Sequence, residues 1–163
     1  MEKIKIIKAS VKDIPHILMF IRELAIYEKL EHEVVVTAEL LESNLFGDKS
    51  HAEVIFIEKD GVKVGFALYF INFSTFLGRP GIYLEDLFVL PTERGLGLGK
   101  KLLAHIAKIA VDRGYGRFEW SVLDWNTPAI EFYRSIGATP MAEWTVQRMT
   151  GESLVKLAAL AKN

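Results

Sequence analysis

The sequence predicts a single α/β domain with a mixed sheet, and three observations carry that reading. Helical and strand-like apolar periodicities interleave along the chain as β-α-α-β-β-β-α-β-α-β, followed by a last helix. Two β-rich runs flank Asp60-Gly61, a pair preferred in tight hairpin turns, which puts antiparallel strands in the sheet. The chain has 163 residues, half of them apolar, and no repeat, low-complexity stretch or linker divides it.

The elements follow in order. KIKIIK (3–8) reads as the opening strand. Ser10 and Asp13 resemble a capping box, and Ile14, Ile17, Leu18, Ile21, Leu24 and Ala25 then recur at helical spacing, so a helix is predicted from about Val11 to Lys29. Thr37 suits the N-cap of a second helix over 38–46, with Gly47 as its stop. Residues 51–73 form the hairpin, 74–81 a loop, and 82–90 a third long strand ended by Pro91. Residues 98–114 read as a helix with Leu102, Leu103, Ile106, Ile109 and Ala110 on one face and Gly114 at its close. RFEWSVL (117–123) is a strand. Asn126 or Thr127 caps a short helix over 128–136, with Pro128 in its first turn and Gly137 after its end. A bent or bulged final strand region at 139–149 and a helix at 152–162 complete the chain.

Composition narrows the function. Twenty basic and 21 acidic residues are mixed along the chain for a net charge of −1, which argues against broad binding to nucleic acid or to an anionic membrane. A local basic site stays open. There is no cysteine, so disulfides, zinc-thiolate sites and thiol nucleophiles are excluded. His16, His32, His51 and His105 are too scattered for a metal site, and no metal is expected. The N-terminus lacks the apolar core of a signal peptide and no run is long enough to span a membrane, so a cytoplasmic protein is expected.

The segment LEDLFVLPTERGLGLGKKLL (84–103) holds three alternating glycines ahead of a helix. A Walker A loop ending at Gly99-Lys100 needs its first glycine where Arg94 stands and a hydroxyl where Lys101 stands. A dinucleotide fingerprint needs its third glycine where Lys100 or Leu102 stands. Both fail. The loop does fit a strand, a tight turn and a helix N-terminus, where converging backbone N–H groups and the helix dipole favour an anion. Arg94 and Lys100 add full charges, which suits a pyrophosphate held without metal. On the residues alone, the alternative is a glycine-rich turn with no ligand.

With these residues in view, the chain resembles the GNAT superfamily of N-acetyltransferases. Arg94-Gly95-Leu96-Gly97-Leu98-Gly99 is similar to that superfamily's Arg/Gln-x-x-Gly-x-Gly/Ala loop for the pyrophosphate of acetyl-CoA. DWNTPAIEFYRSIGA (124–138) is similar to its Asn…Ala…Tyr…Gly segment. Residues 20–34, 64–70, 83–103 and 122–133 further resemble the diamine acetyltransferases, which include spermidine/spermine and thialysine acetyltransferases. The similarity covers approximately 4–160 and is weakest at 74–81 and after 139. VLDWN is closer to the thialysine branch, while Glu31 and Glu33 fit either branch.

The resemblance implies a single N-acetyltransferase domain over 1–163, with a mixed sheet of about six to seven strands splayed at the acetyl-CoA site and flanked by helices. It implies acetyl-CoA as acetyl donor, no metal, and a homodimer formed through the final strand and C-terminal helix. Backbone groups of Leu87, Phe88 and Val89 are expected on the pantetheine arm. Arg94, Gly95, Leu96, Gly97, Leu98, Gly99 and Lys100 are expected on the pyrophosphate, with Asn126, Pro128 and Ala129 bordering the cofactor.

The chemistry asks for a base and an acid. An alkyl amine has a pKa of roughly 10.4 and must lose a proton before it can attack. Glu85 is the expected base and Asp86 a substrate contact; the plain alternative for Glu85 is an acid on a solvent-facing strand. In a regular strand these neighbours point to opposite faces, so sharing one environment needs a bulge or the family's splay. Tyr133 is the expected general acid, against the alternative of a core aromatic packed with Phe132. Tyr27 and Glu28 match the family's polyamine-contacting pair, Glu119, Trp120 and Ser121 are placed along the amine channel, and Glu143 is a further candidate. The leading substrate is a small polyamine or diamine. Thialysine or another small amino acid or amine is the alternative, and a basic residue in the acceptor pocket would favour an amino acid. A non-catalytic acyl-CoA-binding regulatory module and a protein acetyltransferase complete the field; intact Glu85 and Tyr133 count against the first.

Overall fold

Five strands form one sheet in chain order: β1 (Ile4–Lys8), β2 (Glu53–Lys59), β3 (Val62–Ser74), β4 (Arg79–Val89) and β5 (Phe118–Trp120). The first four pair antiparallel and β5 runs parallel to β4, so the sheet is mixed as predicted. These strands belong to a computed structural model that describes residues 2–161. The chain divides into two compact units, Met1–Leu123 and Asp124–Asn163.

The predicted turn closes the β2–β3 hairpin. Asp60 and Gly61 both adopt positive φ, 51° and 84°, the conformation that matches a tight turn to the twist of its strands. The segment 74–81, read as a loop, is instead a second hairpin: only Thr75–Gly78 turns, and Arg79 and Pro80 already pair with Ser74 and Phe73. Pro80 had signalled a loop, yet a proline is tolerated where the ladder does not need its missing N–H.

Helix α1 (Ile14–Glu28) starts from a short 3-10 turn over Val11–Asp13. The expected capping box forms there, with Ser10 N–H and Oγ donating to Asp13 Oδ2 at 2.8 and 3.0 Å. The helix ends on Lys29 at φ 61°. It buries Ile14, Ile17 and Phe20 against Val54, Phe56, Phe66 and Phe88, and the Phe20 and Phe66 rings stack at 5.2 Å. Helix α2 (Ala38–Leu45) adds Leu41 to this cluster, capped by Thr37 Oγ1, which accepts from Leu40 N–H at 3.3 Å. Strand alternation sends buried Ile55, Ile57, Tyr69 and Leu84 to the opposite face. Helix α3 (Leu98–Asp112) lies against β3 and β4 and buries Leu98, Leu102, Leu103, Ile106 and Ala110.

The second unit carries α4 (Thr127–Ser135) and α5 (Gly151–Ala158). The final strand expected at 139–149 is absent: those residues are irregular and every one is exposed. Their alternating pattern had no neighbouring strand to pair with, and Pro140 removes one donor. The sheet therefore has five strands among the described residues, fewer than the six to seven expected. No helix among them is long and apolar enough to cross a membrane.

Candidate active site

The site begins with a miscount between two strands. Tyr69 pairs with Leu84 and Leu68 pairs with Asp86, so Glu85 is an extra residue bulged out of β4. In a regular strand, Asp86 would share a face with Leu84. With the bulge, Asp86 falls in the row of Leu68, whose side chain packs on the α1 cluster beside Phe88. One bulged residue thus moves an acid onto the α1 face, while Glu85 stays exposed.

The electrostatics follow from that placement. Burial, then the charges of Glu85 and Glu28, push the Asp86 carboxyl up to about 7. Glu28 is the last residue of α1, where an acid opposes the helix dipole, and burial raises its own carboxyl as well. Among the described residues, every influence on Asp86 acts in the same direction. Three carboxylates held together, one of them poised at neutrality, form a receptor for a cation and a proton acceptor at once.

The bulge also marks where β4 loses a neighbour. Strand β5 pairs only with Ile82, Tyr83 and Leu84. Among the described residues, no strand pairs with that edge of β4 from Glu85 to Val89. The side chains of Phe88 and Val89 are buried, and that of Leu87 half-buried, so the open edge offers backbone N–H and C=O groups. β5 is shorter than the predicted 117–123, and its early end is what opens the edge.

The glycine loop follows directly. Gly95 and Gly97 have φ of 81° and 72°, so their identity is set by backbone conformation. Gly99 differs: its φ is ordinary, and an added Cβ would meet only Leu87 Cδ2 at 3.7 Å. Neither strain nor crowding among the described residues explains a glycine in the first turn of α3. Leu96 is exposed and Leu98 buried, so Leu98 offers its backbone alone. Lys100 is exposed beside them.

Arg94 has partners within the chain. Its Nε donates to Val89 O at 3.0 Å, and its guanidinium lies 4.8 Å from the Tyr27 ring and 5.1 Å from the Phe88 ring. It ties the end of α1, and hence Tyr27 and Glu28, to the loop that follows β4.

Strand β5 divides its candidates. Glu119 pairs with Tyr83 and Trp120 with Leu84, so alternation puts them on opposite faces. Trp120 stacks near Phe118 at 4.9 Å. Ser121 Oγ shares a 2.6 Å hydrogen bond with Tyr83 Oη. Glu119 is held by Arg117 Nε at 2.8 Å and by Asn72 Nδ2 at 3.3 Å. The sequence reading missed Arg117 and Asn72; the spacing of Arg117 two residues before Glu119 in a strand was the signal available.

In the second unit, Asn126 caps α4, its carbonyl accepting from Ile130 N–H at 3.0 Å, and Pro128 occupies the first turn. Ala129 and Tyr133 are four residues apart and share one face of the helix. The half-buried Tyr133 ring lies 5.6 Å from that of Phe132. Glu143 is exposed in a turn. No cluster of three metal-ligating side chains occurs among the described residues.

The pattern of the Acetyltransferase (GNAT) family matches residues 19–138. A thialysine N-epsilon-acetyltransferase of Sus scrofa is 37% identical over 97% of this chain and 99% of its own. An L-ornithine N5-acetyltransferase of Arabidopsis thaliana is 33% identical over 90% of this chain and 84% of its own. Among solved structures, an integron cassette protein from the mobile metagenome of V. cholerae superposes with a TM-score of 0.79 at 30% identity, covering 95% of this chain and 97% of that one. The chain belongs to the GNAT family of acetyltransferases and is an N-acetyltransferase, an enzyme that transfers acetyl to an amine.

Proposed function

We propose that the acetyl donor is acetyl-CoA and that the acceptor is the side-chain amine of a small amino acid such as thialysine or ornithine. The carrying observation is the Glu85 bulge, which sets Asp86 among three carboxylates where β4 loses its neighbour. The acid cluster suits any small amine, polyamines included; the relatives that share nearly the whole chain favour the amino acid.

The residues present fit the donor. An added Cβ at Gly99 would meet only Leu87 Cδ2 among the described residues, and Gly95 and Gly97 free the loop's N–H groups to converge. Leu87 to Val89 would hold the pantetheine by backbone pairing. Gly95 to Lys100 would hold the pyrophosphate, with Arg94 positioning the loop against Tyr27. By resemblance to the family, Asn126, Pro128 and Ala129 are proposed as further cofactor contacts. Bound acetyl-CoA supplies the acetyl group as a thioester.

The chain's own residues then move two protons. Glu28, Glu85 and Asp86 attract the ammonium, and Asp86 accepts its proton, which reverses the roles expected for Asp86 and Glu85. A base with a pKa near the working pH is the efficient choice. Tyr133 donates its phenolic proton to the departing sulfur. We also take the protein to act as a homodimer; exposed Met141, Trp144, Val146, Leu154 and Val155 support a partner surface, which light scattering on the purified protein would check.

Thiol release from acetyl-CoA, measured with thialysine, ornithine, lysine, putrescine, spermidine and a peptide panel, tests the proposal. Release with the amino acids above the polyamines is expected. Release with no amine would leave a non-catalytic acyl-CoA-binding module, and release with peptides alone would replace the small-molecule reading.

Gly99 gives a second check. Gly99→Ala should raise stability by about 0.5–1 kcal/mol, because alanine is the better helix former and its Cβ meets no close atom. Gly99→Val should still fold while weakening CoA binding about tenfold or more, read by titration calorimetry, because its branches enter the space left for the ligand. Unchanged CoA affinity in the valine variant would remove Gly99 from the cofactor site.

A further inference from the structure

Two rows of side chains cross the sheet beyond Asp86 on the same face. Phe70 pairs with Tyr83, and Tyr83 with Glu119; next, Asn72 pairs with Gly81, beside which Arg117 lies. Phe70 is two residues along β3 from Leu68, the partner of Asp86, and Asn72 is two further. Each row is therefore roughly 7 Å from the last.

The far row is unusually equipped. Arg117 Nε sits 2.8 Å from Glu119 Oε1, yet its N–H is poorly aligned on that oxygen and remains a buried donor without a hydrogen bond. Asn72 Oδ1 is a buried acceptor without a donor. Unspent buried polar atoms in a native fold call for an explanation. Gly81 lets Asn72 and Arg117 close over the strand, since a Cβ there would come within 2.7 Å of Asn72 Oδ1 and 2.9 Å of Arg117 Cγ. A second Arg117 nitrogen donates to Phe73 O at 3.3 Å, which anchors the guanidinium.

We infer that Arg117, Glu119 and Asn72 form the subsite that reads the α-carboxylate and α-ammonium of an amino-acid acceptor. The inference rests on the proposed amine-acetylating site and adds the residues that select its substrate. Arg117 presents a fork for the carboxylate, and Glu119 with Asn72 Oδ1 presents acceptors for the ammonium. The paired Arg117 and Glu119 exchange charge for charge with a zwitterion, so neither loses its counter-charge. Asn72 and the Arg117 backbone lie two rows from Asp86, but Arg117 Nε reaches Glu119 Oε1 in the nearer row, and a side chain of four or five bonds, roughly 6 Å, spans the single row from there to Asp86. A polyamine offers no carboxylate, and its distant ammonium meets the positive charge of Arg117.

Matched substrates test this: ornithine against putrescine, and lysine against cadaverine, each diamine being the amino acid without its carboxylate. Wild type should show the higher kcat/KM for each amino acid. Arg117→Gln should lower the amino-acid-to-diamine ratio about tenfold or more, through KM rather than kcat. Arg117→Lys, which keeps the charge, should restore part of the ratio, and Glu119→Gln should lower it. A ratio unchanged in both Arg117 variants, or a wild-type preference for the diamines, overturns the inference. Turnover without selectivity defeats this subsite alone, whereas absence of any amine turnover defeats the underlying reading.

Discussion

Asp86→Asn is expected to abolish most activity and, above neutral pH, to make the protein more stable. Both effects come from one cause. An unfolded Asp86 ionises near 3.8, whereas burial and the charges of Glu85 and Glu28 hold the folded carboxyl at about 7. As pH rises from about 4 to 7, the unfolded chain releases this proton while the folded chain retains it, so stability falls through that window. Above it, the ionised carboxylate costs the fold up to about 4 kcal/mol. Asparagine has the shape of the protonated acid and never ionises. Its thermal midpoint should therefore exceed the wild type's by several degrees at pH 8, at about 2–4 °C per kcal/mol for a chain of this size, and should match it near pH 4. Turnover should drop about 10²-fold or more, the usual worth of a positioned base.

The wild-type pH profile completes the argument. The rising limb of kcat/KM should contain a step near 7 that is missing from Asp86→Asn. Glu85→Gln and Glu28→Gln each remove a charge that raises Asp86, so each should shift that step to lower pH. An equal midpoint gain at pH 4 and pH 8 would mean that the substitution acts through packing. Full activity in Asp86→Asn, with its loss in Glu85→Gln, would return the base role to Glu85.

The contrast between Glu85 and Asp86 shows how much of the site was legible in the chain. Local features were readable because their physics is local. Asp60-Gly61 turned, Thr37 capped and Ser10 with Asp13 boxed a helix start, each within four residues. The glycine loop was readable for the same reason. A bulge is a difference in count between two strands, and Glu85 is extra only relative to Leu68 and Tyr69, on another strand. No periodicity within β4 reveals it. The missing strand at 139–149 failed in the same way, since alternation states a preference and pairing requires a partner. Arg94 read correctly as part of the loop, but its stacking on Tyr27 joins residues 67 positions apart.

Tyr133→Phe is the second large expected effect, and its strength lies in how little else it changes. The ring that lies 5.6 Å from Phe132 is kept, as are the helix it sits on and the Asn126 cap beneath it. Only the hydroxyl goes. A phenol with a pKa of ~10 holds its proton at neutral pH, and that value is close enough to a thiol's ~8.5 for it to donate to the sulfur as the C–S bond breaks. Without that donor the sulfur must leave as an anion or wait for water, and kcat should drop about 10²-fold or more. CoA affinity, read by calorimetry, and the thermal midpoint should stay near wild type. Unchanged kcat would remove Tyr133 from the chemistry, and a loss confined to CoA affinity would make it a cofactor contact. A drop in kcat with CoA affinity and thermal midpoint unchanged assigns the Tyr133 hydroxyl to the chemical step.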